Sequence, residues 1–180
     1  YDADVIRINS QSGKGGIGFL LEQNYGYSLP AKMREDLGYR VKSVSDHGHK
    51  ELSVREVCDV FEQTYMNRCT PLSVPEAHFT VRNNVFYSVV TVEMKGNSRE
   101  VTSQGNGRLD AVCNAIHDAT GLEFTLESYS EHSLDEGSTS RACSYVGIRW
   151  PDGSMSWGAG THTDIIMAGT RALVSAVNNH

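Results

Sequence analysis

The sequence predicts an α+β fold, in which a small and mostly helical first part precedes a larger part made of two β-β-β-α units. Two observations lead to this prediction. In residues 1–68 the apolar side chains recur at helical spacing, whereas residues 77–180 contain segments rich in Val, Phe and Tyr that are typical of strands. The second part also carries an internal repeat, in which Gly105 corresponds to Gly160 at an offset of 55 residues.

A linker is predicted between the two parts, at residues 69–76. This segment contains Pro71 and Pro75, and each proline removes a backbone donor and biases the residue before it toward extended geometry. We therefore expect one domain at 1–68 and a second at 77–180.

The composition is typical of a soluble globular protein with neither a nucleic-acid nor a membrane partner. Apolar residues make up 39% of the chain and charged residues 21%, and the net charge is −6. Lys and Arg form no cluster that would follow a phosphate backbone, and no apolar stretch approaches the roughly 20 residues that a membrane helix needs. The cysteines form no C-x-x-C pair, which favours reduced, packed thiols in a cytoplasmic protein.

The first part begins with a short predicted strand at residues 5–8 and a Gly-rich loop or helix entry at 13–16. Ile17, Leu20 and Leu21 follow at helical spacing. Together they predict one amphipathic helix directly after the Gly-rich segment.

A second helix is predicted to begin at Pro30 and to end at Gly38, because proline is tolerated in the first turn and glycine is common just beyond the last. A short strand is expected at residues 41–44 and a turn at 46–48.

A third helix has the clearest start signal of the first part. Ser53 and Glu56 have the spacing of a capping box, in which each side chain accepts a hydrogen bond from the other residue's backbone N–H. The apolar residues that follow lie on one helical face: Val54, Val57, Cys58, Phe61 and Tyr65.

The first β-β-β-α unit is predicted from the segment 85–94, a strand that turns at Gly96 into a second strand ending at Gly105. Residues 106–110 then open a helix, and residues 79–83 are expected to supply the leading strand.

The second unit repeats this order. Strands are predicted at 122–129 and 143–150, the latter turning at residues 151–153 into a strand that ends at Gly160. Residues 161–164 open the closing helix, so that Asp164 corresponds to Asp110.

Two motifs suggest a ligand but lack the residues that would complete the site. Residues 13–18 fit G-x-G-x-x-G, yet Phe19 and Leu20 stand where a phosphate loop needs Lys and Ser or Thr. His47 and His49 could ligate a metal with Cys58 as a third ligand, but nothing in the sequence fixes the fourth ligand of a tetrahedral site. We expect no catalytic residue and no metal ligand in this chain.

The two strand-to-helix junctions, at residues 105–107 and 159–161, suit an α-amino acid. Glycine allows a ligand to approach the backbone, and the N–H groups of a helix start favour a carboxylate. Asp110 or Asp164 could then meet the ammonium group. Ordinary helix capping by these residues is the alternative that the pattern leaves open.

Several motifs in one order resemble 2-isopropylmalate synthases, and together they cover nearly the whole chain. The residues 105–111, Gly-Asn-Gly-Arg-Leu-Asp-Ala, are similar to that family's Gly-Asn-Gly-Pro-Ile/Leu-Asp-Ala stretch, with Arg108 in place of proline. The other matching segments are 6–16, 29–30, 51–65, 129–132, 140–146, 157–160 and 172–178.

The resemblance implies an accessory subdomain at 1–68 and a regulatory domain at 77–180 that binds leucine as a feedback inhibitor and forms a homodimer. It implies that the full-length enzyme condenses acetyl-CoA with 2-oxoisovalerate in leucine biosynthesis. The catalytic barrel and its divalent metal would lie outside this chain, which should be inactive alone.

The resemblance also implies the residues around the effector. These are Gly105, Asn106, Gly107, Asp110, Ala111, Tyr129 and Ala142, with Asp164 and Ile165 at the second junction. Two alternatives stay open. A related citramalate synthase would sense isoleucine, and a free-standing enzyme would use residues 13–18 to bind a nucleotide.

Overall fold

The structure, a computed structural model, describes residues 7–8, 14–134 and 140–180. The chain divides into two compact units, Tyr1–Thr64 and Tyr65–His180. The α+β class is confirmed, because helices and small antiparallel sheets share the chain. The function assigned to each domain stays a prediction.

The first unit contains a short antiparallel pair and helices. The pair is β1 (Arg7–Ile8) and β2 (Leu52–Ser53), and the helices are α1 (Lys14–Tyr25), α2 (Ala31–Gly48) and α3 (Val54–Tyr65), whose last residue belongs to the second unit. Ile17 and Leu21 of α1 are buried, in agreement with the predicted amphipathic helix.

Helix α2 corrects three predictions. It does not end at Gly38, residues 41–44 are helical rather than a strand, and residues 46–48 are helical rather than a turn. The reason is a stripe of buried side chains every fourth residue, Met33, Leu37, Val41 and Ser45, which continues one helical face through the glycine. The helix ends instead at Gly48, and its C-cap residue His49 takes a left-handed conformation with φ 51°.

The capping box at the start of α3 is confirmed. The Ser53 N–H donates to Glu56 Oε1 at 2.9 Å, and the Glu56 N–H donates to Ser53 Oγ at 3.1 Å. The five apolar residues predicted for one face of this helix are all buried, with Cys58, Phe61 and Tyr65 fully so. Capping and periodicity therefore agree on where α3 begins and which face it buries.

The second unit repeats β-β-β-α, as predicted. The first copy consists of β3 (Leu72–Arg82), β4 (Val85–Met94), β5 (Asn97–Gly105) and α4 (Arg108–Thr120). The second consists of β6 (Thr125–Ser133), β7 (Ala142–Arg149), β8 (Met155–His162) and α5 (Ile165–Asn178). The β6–β7 connection, residues 135–139, and the predicted strand residues 5–6 lie outside the described residues.

Each copy forms an antiparallel three-stranded meander, β3-β4-β5 or β6-β7-β8. Helix α4 packs on β4 and β5, α5 packs on β7 and β8, and the two helices contact one another. One apolar core is shared by both copies and includes Leu72, Val90, Ile116, Ile148 and Leu173.

Strands β3, β6 and β8 differ from the prediction, and β8 runs to His162 rather than ending at Gly160. Strand β3 begins at Leu72, so the last residues of the predicted linker 69–76 belong to the sheet, because Leu72 and Val74 bury their side chains in the core. Strand β6 begins at Thr125 rather than at residue 122, since α4 runs to Thr120 and Gly121 ends it with φ 74°.

Close packing of α5 on its sheet depends on two glycines of β8. A Cβ at Gly158 would lie 2.3 Å from Ala176 N, and one at Gly160 would lie 2.3 Å from Ala168 O. Both contacts are with helix backbone, which cannot move aside, so any side chain here would push α5 off the sheet. This packing fixes where the first turn of α5 lies.

None of the helices formed by the described residues is long and apolar enough to cross a membrane.

Candidate functional site

An open cavity of about 520 Å³ lies between the two copies of the repeat, at their helices and strand β6. Helix α4 and the residues before it contribute positions 106–110. Strand β6 contributes Leu126, Tyr129 and Glu131, and helix α5 contributes Ile165, Ile166, Gly169 and Thr170. This volume is in the range of small-molecule sites in proteins.

The start of α4 faces this cavity without a side-chain cap. Its N-cap residue is Gly107, which has no side chain to accept a hydrogen bond from the first turn. An added Cβ at Gly107 would meet no atom within 4 Å, so open space lies beside the helix start. The first-turn N–H groups of a helix have no intrahelical partner and carry a partial positive charge. This end of the cavity therefore suits an anionic group.

The equivalent end of α5 is already capped. Asp164 is its N-cap, and the carboxylate accepts a hydrogen bond from the Ile166 N–H at 2.9 Å. Because Asp164 serves its own helix, the two junctions are not equivalent as ligand sites. Only the α4 junction lacks a side-chain cap.

Asp110 organises the loop before α4. The Asn106 N–H donates to Asp110 Oδ2 at 2.8 Å, which holds the turn that leads into the helix. Gly105 packs against this turn, because a Cβ there would lie 2.6 Å from both Ala111 N and Asp110 Oδ2. Gly105 therefore packs against the loop without lining the cavity, whereas Asp110 both holds the loop and lines the cavity.

Charged groups of both signs line the cavity. The Arg108 guanidinium lies over the Phe86 ring at 5.2 Å, and the carboxylates are Asp110 and Glu131. The Tyr129 hydroxyl donates to Glu131 Oε2. Burial, followed by this hydrogen bond, raises the pKa of Tyr129 to about 12, so the phenol remains a donor at neutral pH.

The remaining wall is apolar and leaves room for a branched side chain. Leu126, Ile165 and Ile166 supply aliphatic surface. The Tyr129 ring lies beside Gly169, and a Cβ at Gly169 would be 3.4 Å from Tyr129 Oη, an ordinary contact distance. Glycine at this position widens the cavity by about one methyl group.

The structure brings five of the nine predicted site residues to the cavity: Asn106, Gly107, Asp110, Tyr129 and Ile165. Gly105, Ala111, Ala142 and Asp164 do not line it. Ala111 is fully buried in the core, and Ala142 pairs with Ser133 and His162 in the sheet. A role in effector binding stays a prediction for all nine.

Sequence reasoning missed other lining residues that share a face with the predicted ones. Glu131 lies two positions after Tyr129 on the same face of β6, and Gly169 lies one helical turn after Ile165. Both could have been found by looking for the next residue on the same face of the strand or helix that carries each predicted residue.

The structure places the two weak motifs of the first unit in helices or at a helix end, and residue 13 lies outside the described residues. Residues 14–18 are the first residues of α1, so they offer a helix rather than a loop that could wrap a phosphate. His47 lies in α2, where Nδ1 hydrogen-bonds the Ser43 carbonyl at 2.7 Å. Within the part of the chain that the structure describes, no three His, Cys, Asp or Glu residues are grouped to hold a metal.

Comparisons with known proteins identify the family to which the sequence is similar. The family model of the LeuA allosteric (dimerisation) domain matches residues 51–180. The 2-isopropylmalate synthase of Desulfitobacterium hafniense (strain Y51) is 50% identical over 178 residues, 99% of this chain and 32% of the relative. That of Helicobacter hepaticus (strain ATCC 51449 / 3B1) is 44% identical over 189 residues, 99% of this chain and 33% of the relative. The chain therefore spans about a third of the length of the curated relatives it matches.

Proposed function

The chain belongs to the family of LeuA allosteric (dimerisation) domains, and from this premise we propose that it is the leucine-binding regulatory part of a 2-isopropylmalate synthase. In this proposal it binds leucine as a feedback inhibitor and forms a homodimer. The whole enzyme would condense acetyl-CoA with 2-oxoisovalerate. Its divalent metal would lie in the part of such a synthase that this chain does not span, which leaves the chain inactive alone.

The observation that carries the proposal is the complementarity between the cavity and a branched-chain amino acid. The uncapped first turn of α4 and the Arg108 guanidinium suit the α-carboxylate. Glu131 or Asp110 suits the ammonium group. Ile165, Ile166 and Leu126 suit an aliphatic side chain, beside the space that Gly169 leaves.

Feedback requires that leucine bind two states of the assembly with different affinity. Allosteric coupling is typically worth about 1–3 kcal/mol, and a ligand with equal affinity for both states would shift nothing. The site lies between two packed repeats, and a ligand in it would touch both α4 and α5, which contact one another. That contact is one element that leucine would bias.

Isothermal titration calorimetry of this chain with leucine, isoleucine and valine tests the proposal. We expect saturable binding that prefers leucine, with about one site per chain. A single methyl position is worth about 1–3 kcal/mol in an apolar pocket, so the three ligands should differ measurably. Preference for isoleucine would instead assign the chain to isoleucine sensing, and absence of heat with all three would contradict the proposal.

A pair of glycine variants identifies the cavity as the binding site. Gly107→Val places a side chain in the open space beside α4, and its backbone is extended with φ −160°, which valine adopts readily. Gly16→Val is the matched control, because its Cβ also meets nothing within 4 Å and it lies in the first unit. We expect Gly107→Val to weaken leucine binding at least about tenfold, or about 1.4 kcal/mol, and Gly16→Val to bind normally.

The nucleotide-binding alternative has a separate test. ATP and NAD should leave the thermal unfolding midpoint of the chain unchanged, because residues 14–18 are helical. A ligand that binds only the folded state at 100 times its Kd stabilises it by about 2.7 kcal/mol. A clear upward shift of the midpoint with either nucleotide would therefore revive the alternative.

A further inference from the structure

A second cavity of about 350 Å³ is lined by other residues of α5 than those that line the effector cavity. Residues 67–69, the start of β3 and three residues of α5 line it, so it is built entirely within the second unit. It shares no lining residue with the first cavity. Nothing in the proposed regulation by leucine uses it.

The charge of this cavity is positive. Arg68 and Arg171 line it, and none of its described lining residues is acidic, in a chain whose net charge is −6. Arg171 Nη1 donates to the Thr161 carbonyl at 2.8 Å. A guanidinium has five N–H donors in a planar fork, so this bond anchors the side chain and leaves it able to donate again.

The loop that carries Arg68 is held on α5 and β8 by side-chain hydrogen bonds. Asn67 and Thr161 bond each other twice, at 3.0 Å each. The Arg68 N–H donates to Ser175 Oγ at 3.1 Å, and Asn178 Nδ2 donates to the Arg68 carbonyl at 2.9 Å. The backbone beneath both arginines is thereby fixed before any ligand arrives, which lowers the entropy cost of binding.

The rest of the cavity wall is largely apolar. Val74, Pro75, Met167 and Val174 line it, and the ladder between β3 and β4 is interrupted between Ser73 and Glu76. The interruption takes Val74 and Pro75 out of regular pairing at the cavity, a common device near binding sites. The cavity therefore combines a cationic rim with an aliphatic wall.

We propose that this second cavity binds a small organic anion, a carboxylate or a phosphate ester, whose head group lies between Arg68 and Arg171 and whose short aliphatic body lies on Val74, Met167 and Val174. Guanidinium groups bind both kinds of head group by paired N–H donors. The volume suits a molecule of a few carbon atoms rather than a nucleotide.

Cys69 provides a built-in reporter of this site. It lines the cavity and is exposed, whereas Cys58, Cys113 and Cys143 are buried. Burial raises the pKa of those three thiols to about 12, 12 and 11, so they react slowly at pH 8. Alkylation of Cys69 can be followed by mass spectrometry with iodoacetate, an anion, and with iodoacetamide, its neutral analogue.

We expect the ratio of the iodoacetate rate to the iodoacetamide rate to fall about threefold in Arg171→Gln. It should also fall in wild-type chain at about 1 M salt, where the Debye length is about 3 Å. Arg99→Gln is the matched control, because Arg99 also donates to one carbonyl, that of Ala119, and lies outside the cavity. Arg68→Gln repeats the test if Arg171→Gln does not fold.

Protection measures binding itself. Pentanoate or inorganic phosphate should slow the iodoacetamide reaction saturably in wild-type chain, and neither should do so in Arg171→Gln. Protection by pentanoate identifies a carboxylate site, and protection by phosphate identifies a phosphate site. An unchanged rate ratio in Arg171→Gln, or no protection by either anion, would overturn the proposal. Leucine calorimetry is independent of both results, because the cavities share no residue.

Discussion

At the scale of single residues, two glycines two positions apart have opposite roles. A Cβ at Gly105 would meet the backbone of Ala111 at 2.6 Å, whereas one at Gly107 would meet nothing. We therefore expect Gly105→Ala to lower the free energy of unfolding by about 1–3 kcal/mol. Gly107→Ala should change it by no more than about 0.5 kcal/mol.

Urea unfolding followed by circular dichroism measures both changes. The pair is internally controlled, since each variant adds one methyl group to the same strand-to-helix junction. Equal stability of the two variants would show that the junction relaxes around a Cβ at Gly105. Leucine binding adds a second readout, because only the Gly107 variant places its methyl group in the cavity.

The residue types at the two strand-to-helix junctions could be predicted from the sequence, but the directions in which their side chains point could not. The sequence marks residues 105–111 as a loop that opens a helix, and Asn106, Gly107 and Asp110 do line the cavity. It does not show that Ala111 faces the core, or that Asp164 is used by its own helix. Those outcomes depend on how each element is rotated against its neighbours, which tertiary packing decides.

At the scale of elements, the capping box of α3 gives the first unit a dependence on pH. The hydrogen bond from Lys50 Nζ, followed by the one from the Ser53 N–H, lowers the pKa of Glu56 to about 2. A carboxyl whose folded pKa lies below its unfolded value of about 4.3 stabilises the fold fully above that value. This contribution is lost as the pH falls toward 2.

Glu56→Gln tests this dependence. The variant keeps a side chain that can accept from the Ser53 N–H but has no charge to lose, so it should be less stable than wild type near neutral pH. The gap in unfolding midpoint should close between about pH 5 and pH 2. Thermal unfolding of both chains across this range measures it, and a gap that stays constant would assign the effect to packing rather than charge.

The bounds of a helix or strand were predicted well where a turn motif in the sequence marks its end, and poorly where no such motif is present. Strands β4 and β5 match their predicted ends at Met94 and Gly105, because Lys95 and Gly96 form a turn in which both φ angles are positive. The second half of α2 was mistaken for a strand, since Val41 and Val44 are β-branched and follow a glycine. Burial of Met33, Leu37 and Val41 on one face overrides that local preference.

At the scale of the whole molecule, the two copies of the repeat contribute differently to the cavity, although the repeat predicted two equivalent junctions. Both copies present a strand-to-helix junction, but only α4 begins without a side-chain cap. The second copy instead supplies the apolar wall from α5 and β6. The cavity thus needs both copies, which the sequence predicted as a repeat but could not assign to different roles.

The last prediction concerns the linkage between leucine and dimer formation, and it rests on the proposed function. Tyr129 and Ile165 line the cavity yet are each 43% exposed, so part of its wall is left open for a second copy to cover. If the dimer binds its two leucine molecules more tightly than two separate monomers do by some overall factor, saturating leucine must strengthen the dimer by that same factor. We expect a factor of about 5–150, the usual range of allosteric coupling.

Sedimentation velocity over a series of chain concentrations, with and without leucine, measures this factor as a fall in the dimer dissociation constant. Gly107→Val is the control. Its side chain enters the cavity beside α4 and leaves the exposed surface of Tyr129 and Ile165 unchanged. It should dimerise as wild type does without leucine and should not respond when leucine is added. Leucine binding by calorimetry with an unchanged dissociation constant would separate the effector site from the dimer interface. In that case inhibition would have to act within one chain, through the contact between α4 and α5.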